Sequence, residues 1–213
     1  MEDWNWVQKI AIYTLPVLFA ITVHEAAHGY AARYFGDRTA EMLGRLSLNP
    51  IRHIDLFGTI LVPALALMLG GFLFGWAKPV PVDPRNLKQP KRDMLWVAAA
   101  GPASNLLMAI AWALLFKFSA GSESGGFMEP LSYMALAGVQ INVVLMVLNL
   151  LPIPPLDGGR ILISLLPVPA AQAVSRIEPF GMIILIVLIV TQALSVIMLP
   201  FIELTYSFLR FLL

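Results

Sequence analysis

Long apolar blocks alternate along this chain with short polar stretches, and the lengths of the blocks predict most of its architecture. Four blocks are long enough to cross a bilayer as helices: residues 8–32, 94–118, 133–152 and about 179–200. A fifth, residues 56–75, is apolar but carries Pro63 and the Gly70-Gly71 pair. It leads into Gly75-Trp76-Ala77-Lys78-Pro79-Val80-Pro81-Val82, which is too rich in proline for a helix or a central strand and suits an edge strand or extended segment. The tail 201–213 is too short to span alone and is expected at the membrane interface. Trp4 and Trp6 are expected to anchor the outer interface.

Charge orients these blocks. Residues 33–55 carry Arg33, Arg38, Arg45 and Arg52, and residues 83–93 carry Arg85, Lys88, Lys91 and Arg92. The stretch 153–178 holds Arg160 and Arg176, whereas 119–132 holds Glu123 and Glu129 and no cation. The positive-inside rule puts the first three on the cytoplasmic side and 119–132 outside. That is self-consistent only if 56–75 enters the membrane and returns on the same side, which is tolerated where backbone is buried in protein or lines a wet cavity. A full fifth span is the competing reading, and it would strand one basic loop outside. The expected fold is therefore an all-α polytopic membrane protein. It has about four transmembrane helices, a re-entrant segment at 56–75, and a short membrane-associated β or extended element at 75–82.

Composition agrees. Of 213 residues, 59% are hydrophobic and 13% charged, which is membrane composition. A net charge of +1 argues against a nucleic-acid partner. With no cysteine, disulfides, thiolate metal sites and a cysteine nucleophile are excluded. No cleavable signal peptide is expected, because Glu2 and Asp3 make the leading end acidic and no small-residue cleavage site follows the apolar run. One membrane domain, 1–213, is the reading.

Against this apolar background the polar residues of the first block stand out. In His24-Glu25-Ala26-Ala27-His28 the two histidines share one face of a helix and can bind one zinc ion. Glu25 lies beside them, where it can take a proton from an activated water. Ionisable groups inside an apolar segment are costly, and so point to function. A third ligand is needed. His53, the only other histidine, has loop-like basic neighbours that favour a solvated or capping role over ligation. Asp157 is better placed. The run Asn149 to Arg160 ends an apolar span in a proline-broken segment, followed by Asp157-Gly158-Gly159. An Asp-Gly-Gly turn capping the next helix is the plainer alternative. The charge-derived topology brings Asp157 to the same membrane face as His24 and His28, which favours ligation.

These residues carry a resemblance. The chain is similar to the site-2 protease family of intramembrane zinc metalloproteases, which join H-E-x-x-H on one helix to N-x-x-P-x-P-x-L-D-G on a later one. Here the motifs are His24–His28 and Asn149–Gly158, with a third hallmark, G-P-x-x-N, as Gly101-Pro102-Ala103-Ser104-Asn105. The resemblance extends to about residue 165 and points to the minimal branch that lacks PDZ and CBS domains. It implies that His24, His28 and Asp157 ligate one zinc ion and that Glu25 is the general base. It also implies that Asn149 and Asn105 hold substrate backbone. The expected substrate is a transmembrane helix, locally unwound so that its freed N–H and C=O groups need partners away from bulk water. An edge strand at 75–82 would pair with such a substrate by β-addition. Ordinary interhelical hydrogen bonding is the competing role for both asparagines. The implied location is a prokaryotic cell membrane, with the site towards the cytoplasm. A homo-oligomer or a regulatory membrane partner is compatible with this reading. A non-catalytic zinc-binding protein or zinc transporter is the alternative function. It predicts polar residues along a path through the bilayer, whereas the last span offers only Thr191, Gln192 and Ser195.

Overall fold

The computed structural model describes residues 5–55, 58, 77–120 and 126–212, and in these the apolar blocks are helical. The first long helix, α1, runs from Trp6–Tyr34. It is started by Asn5, whose side chain accepts the Gln8 N–H at 3.0 Å while the Gln8 side chain accepts the Asn5 N–H at 2.9 Å, a reciprocal cap of two orphan donors. A short α2, Thr39–Met42, follows. The next long helices are α3, Pro90–Ala120, and α4, Met128–Asn149. After a proline-broken connection come α5, Asp157–Leu165, α6, Val168–Ser175, α7, Gly181–Val190, and α8, Ala193–Leu212.

Helix α3 is the centre of the bundle, packing most extensively on α4 and also on α1 and α5. Small residues allow this: Ala109 and Ala113 of α3 meet Val139, Val143, Met146 and Val147 of α4 in one buried cluster. In lipid, close approach of backbones through small side chains is a main source of helix association. Leu194, Met198 and Leu209 of α8 complete the cluster from the other side.

Five stretches of the described residues are long and apolar enough to cross a membrane: Ile10–Tyr34, Pro90–Ala120, Met128–Asn149, Val168–Val190 and Ala193–Leu212. The first three overlap the expected spans 8–32, 94–118 and 133–152. The expected span 179–200 differs. It is broken at Thr191-Gln192, where Gln192 takes φ 59° and the Thr191 hydroxyl donates to the Val187 carbonyl at 2.7 Å. Helix restarts at Ala193 and continues to Leu212, so 201–212 is the second half of a helix and not a separate interfacial tail. Reversing φ at one residue leaves hydropathy unchanged, so a count of apolar residues runs straight through the break.

Of the proline-rich segment, residues 77–83 carry no helix and pair with no strand among the described residues. Gly75, Trp76, Trp4 and the segment expected to re-enter the membrane at 56–75 (Gly58 excepted) lie outside the described residues.

Candidate metal centre

Helical spacing puts His24 and His28 on one face of α1, both buried, with their rings edge to face at a centroid distance of 4.7 Å. Each ring is held from behind through Nδ1. His24 Nδ1 lies 2.6 Å from Asn105 Oδ1, and His28 Nδ1 lies 2.7 Å from the Val97 carbonyl oxygen. Both partners are acceptors, so each Nδ1 carries the proton and each Nε2 presents a lone pair. The two Nε2 atoms are 3.1 Å apart.

Helix α3 comes close enough to hold the rings because position 101 is glycine. A Cβ there would lie 2.4 Å from His28 Nε2 and 2.6 Å from His24 Cε1. The third group arrives from the start of α5. After α4 ends, the chain folds back so tightly that a Cβ on Gly158 would sit 2.2 Å from the Leu150 carbonyl oxygen. Only glycine fits there, and the fold-back aims the preceding Asp157 at the histidines. Its Oδ2 lies 3.1 Å from His24 Nε2 and 3.2 Å from His28 Nε2. Asp157 makes no cap for its own helix, which removes the plainer alternative.

Three lone-pair atoms in a buried triangle repel one another unless a cation lies among them. With both histidine protons on Nδ1, Asp157 Oδ2 receives no hydrogen bond, although it is buried. Four-coordinate zinc with ligands at 2.0–2.2 Å needs ligand atoms roughly 3.3 Å apart, close to the distances found. The donor set of two imidazoles and a carboxylate, with a fourth position open, is that of a catalytic zinc site. Among the described residues these three form the cluster able to hold a metal.

Beside the triangle is a cleft of about 130 Å³, lined by Glu25, Asn149, Arg160 and the segment around Val80 as well as by the three ligands. Glu25 Oε2 accepts the Val80 backbone N–H at 2.7 Å. The segment carrying Val80 is pinned along its length. Lys78 N donates to the His53 carbonyl at 2.9 Å, and Arg45 Nη2 reaches the carbonyls of Lys78 and Pro79 at 3.1 and 3.3 Å. Asp83 N donates to Asp37 Oδ2 at 2.7 Å. Asp37 is the hub. Almost fully buried, it also accepts from the Thr39 backbone and hydroxyl and from Asn86 Nδ2. Burial alone would raise its pKa, but these hydrogen bonds outweigh it and hold the carboxyl below its ordinary value.

Of the solvated or capping role expected for His53, the solvated one does not hold. His53 is buried, its Nε2 donates to the Ser47 carbonyl at 2.8 Å, and it braces the loop from inside, away from the metal cluster. Asn105, for which substrate holding and interhelical hydrogen bonding were both open, is fully buried, and its amide meets His24 Nδ1, Ala20 O and Asn142 Oδ1. Asn149 does line the cleft. Its Nδ2 donates to the Leu145 carbonyl at 3.0 Å, and its Oδ1 has no partner among the described residues. Asn142, Asp37, Arg45 and the Val80 N–H went unrecognised in the sequence. An asparagine inside an apolar span was the available signal for the first; a backbone N–H leaves none.

Comparison with known proteins agrees with this chemistry. The sequence profile described as Peptidase family M50 matches residues 12–133 and 120–191. The chain is 41% identical over 189 residues to "Putative zinc metalloprotease YwhC" of Bacillus subtilis (strain 168), covering 87% of this chain and 83% of that protein. It is 31% identical over 195 residues to "Putative zinc metalloprotease Rip2" of Mycolicibacterium smegmatis, covering 91% and 71%. No solved structure gives a significant match. Matched along most of its length and carrying a two-histidine, one-carboxylate centre among membrane-length helices, the chain belongs to peptidase family M50, the site-2 proteases, and is a zinc-dependent protease of the membrane.

Proposed function

We propose that this protease is an intramembrane endopeptidase that cleaves a locally unwound transmembrane helix of a membrane-protein substrate. The observation that carries the reading is the position of the centre. His24, Glu25 and His28 lie within a helix long and apolar enough to span, and the third ligand closes on them from a neighbouring segment of the same bundle.

Zinc, when bound by His24, His28 and Asp157, supplies Lewis acidity and a water of lowered pKa. Glu25 is the proton carrier. Val80 N–H holds one carboxylate oxygen, so the other keeps a defined direction. From there it accepts a proton from water at the centre and passes it to the leaving amine. Asn149, at the cleft wall with an unengaged Oδ1, offers an acceptor to a substrate N–H. Residues 77–83 carry no helix, and Pro79, Val80 and Val82 line the cleft beside the three ligands, which supports contact of this segment with an unwound substrate. The basic loops on either side of the centre support a cytoplasmic orientation in a prokaryotic cell membrane.

Purified protein, loaded with zinc, is presented with single-span membrane substrates in detergent. Glu25→Gln is expected to keep zinc and lose cleavage, while the wild type cuts within the span. Cleavage by Glu25→Gln at the wild-type rate overturns the role of Glu25. Cutting confined to soluble segments overturns the intramembrane reading. Zinc crossing liposomes without cleavage of any substrate would favour a transporter.

A further inference from the structure

We propose that Asn142 is a positioning residue for the metal centre, because it sets the orientation of the Asn105 amide and thereby the face that His24 turns to the metal. Asn142 sits in the middle of α4, fully buried, and is absent from the cleft wall. Its own Nδ2 donates to the Gly138 carbonyl at 2.8 Å. Its Oδ1 accepts Asn105 Nδ2 at 2.9 Å, and Asn105 Oδ1 accepts His24 Nδ1–H at 2.6 Å.

Each link removes an ambiguity. A backbone carbonyl only accepts, so Asn142 must present its NH₂ to Gly138 and its oxygen to Asn105. Asn105 must then present its NH₂ to Asn142 and its oxygen to His24. The imidazole proton is thereby held on Nδ1, and Nε2 is left with a lone pair. Without the oxygen at 142, the Asn105 NH₂ keeps only the longer bond to Ala20 O at 3.3 Å. A rotated amide would place NH₂ against His24 Nδ1 and move the proton to Nε2, where it opposes a cation. His28 needs no such relay, since the Val97 carbonyl fixes it directly. A buried asparagine in a membrane helix is costly enough to demand a use. The competing use is simply to hold α3 and α4 together.

A double-substitution cycle separates the two. A carboxylate at 105 has two equivalent oxygens and no orientation to set, so in an Asn105→Asp background position 142 loses its task. Zinc affinity is measured by chelator competition on folded, monodisperse protein. Asn142→Leu is expected to weaken zinc binding about 10–100-fold with Asn at 105, the usual cost of losing outer-shell support. In the Asn105→Asp background it is expected to cost less than about twofold. If Asn142→Leu does not fold, Asn142→Ala takes its place in the cycle. Wild-type affinity in the single variant overturns the proposal, as does an equal loss in both backgrounds. Failure of Asn105→Asp to bind zinc would also overturn it, since an acceptor at 105 is all that the relay delivers.

Discussion

The backbone N–H of Val80 donates to Glu25 Oε2 at 2.7 Å, and it is the only N–H in the run Pro79-Val80-Pro81. The proline-rich segment and the H-E-x-x-H helix are thus joined through the one donor that this run possesses. Removing that donor should misdirect Glu25 without disturbing the ligands. A hydrogen bond to a charged group contributes roughly 1.5–3 kcal/mol, so Val80→Pro should lower kcat about tenfold or more with zinc content unchanged. Val80→Ala keeps the N–H and serves as the packing control. Equal kcat in the two variants would show that the bond is not what matters.

Gly101 faces both histidine rings, and a methyl group there would overlap His28 Nε2. The neighbour is a ligand atom, so relief requires moving the ligand itself. Gly101→Ala should weaken zinc binding by at least about tenfold, comparable to losing a ligand's support. Quantifying metal in the purified variant checks this, with helix content by circular dichroism as the folding control.

Asp37 gathers the end of α1, α2 and the segment after Val80 around one buried carboxylate. Asp37→Asn turns an NH₂ towards donors and should cost about 1–3 kcal/mol at neutral pH. The sign of the pH dependence follows from the lowered pKa. The folded state binds its proton less readily than the unfolded state, so the contribution is complete above the unfolded value of about 4. It is lost as pH falls through the folded value. Thermal unfolding of wild type and variant should therefore differ by a constant amount near neutrality and converge in acid. A gap that widens below about pH 4 would contradict the assignment.

Metal removal should act on stability as well as on cleavage. With zinc at about a thousand times its Kd, the bound ion stabilises the folded state by about 4 kcal/mol. Chelation should lower the Tm and abolish cleavage, and zinc should restore both. Asp157→Ala should show a Tm that chelator hardly changes, because its site is already broken.

How much of this could be read from the chain depends on the range of each interaction. Helical periodicity joins residues four apart, so His24 and His28 were legible as a pair. Charge asymmetry between loops brought Asp157 to the same face. Cleft and brace were not legible to that degree. Asn105 looked equally suited to substrate or to another helix, and its burial behind His24 was visible only in the folded chain. His53 looked exposed because its neighbours are polar, yet its ring folds inward onto Ser47.

By itself, then, the sequence determined the helical membrane class, the family and a candidate ligand set, since hydropathy, helical spacing and contiguous motifs are all local properties. Tertiary structure alone decided what stands behind and beside the ligands. The Asn142–Asn105–His24 relay spans three helices, and the Val80–Glu25 bond joins positions 55 residues apart. Such contacts depend on how far helices approach and which way an amide or N–H points, and no local pattern of residue types encodes either.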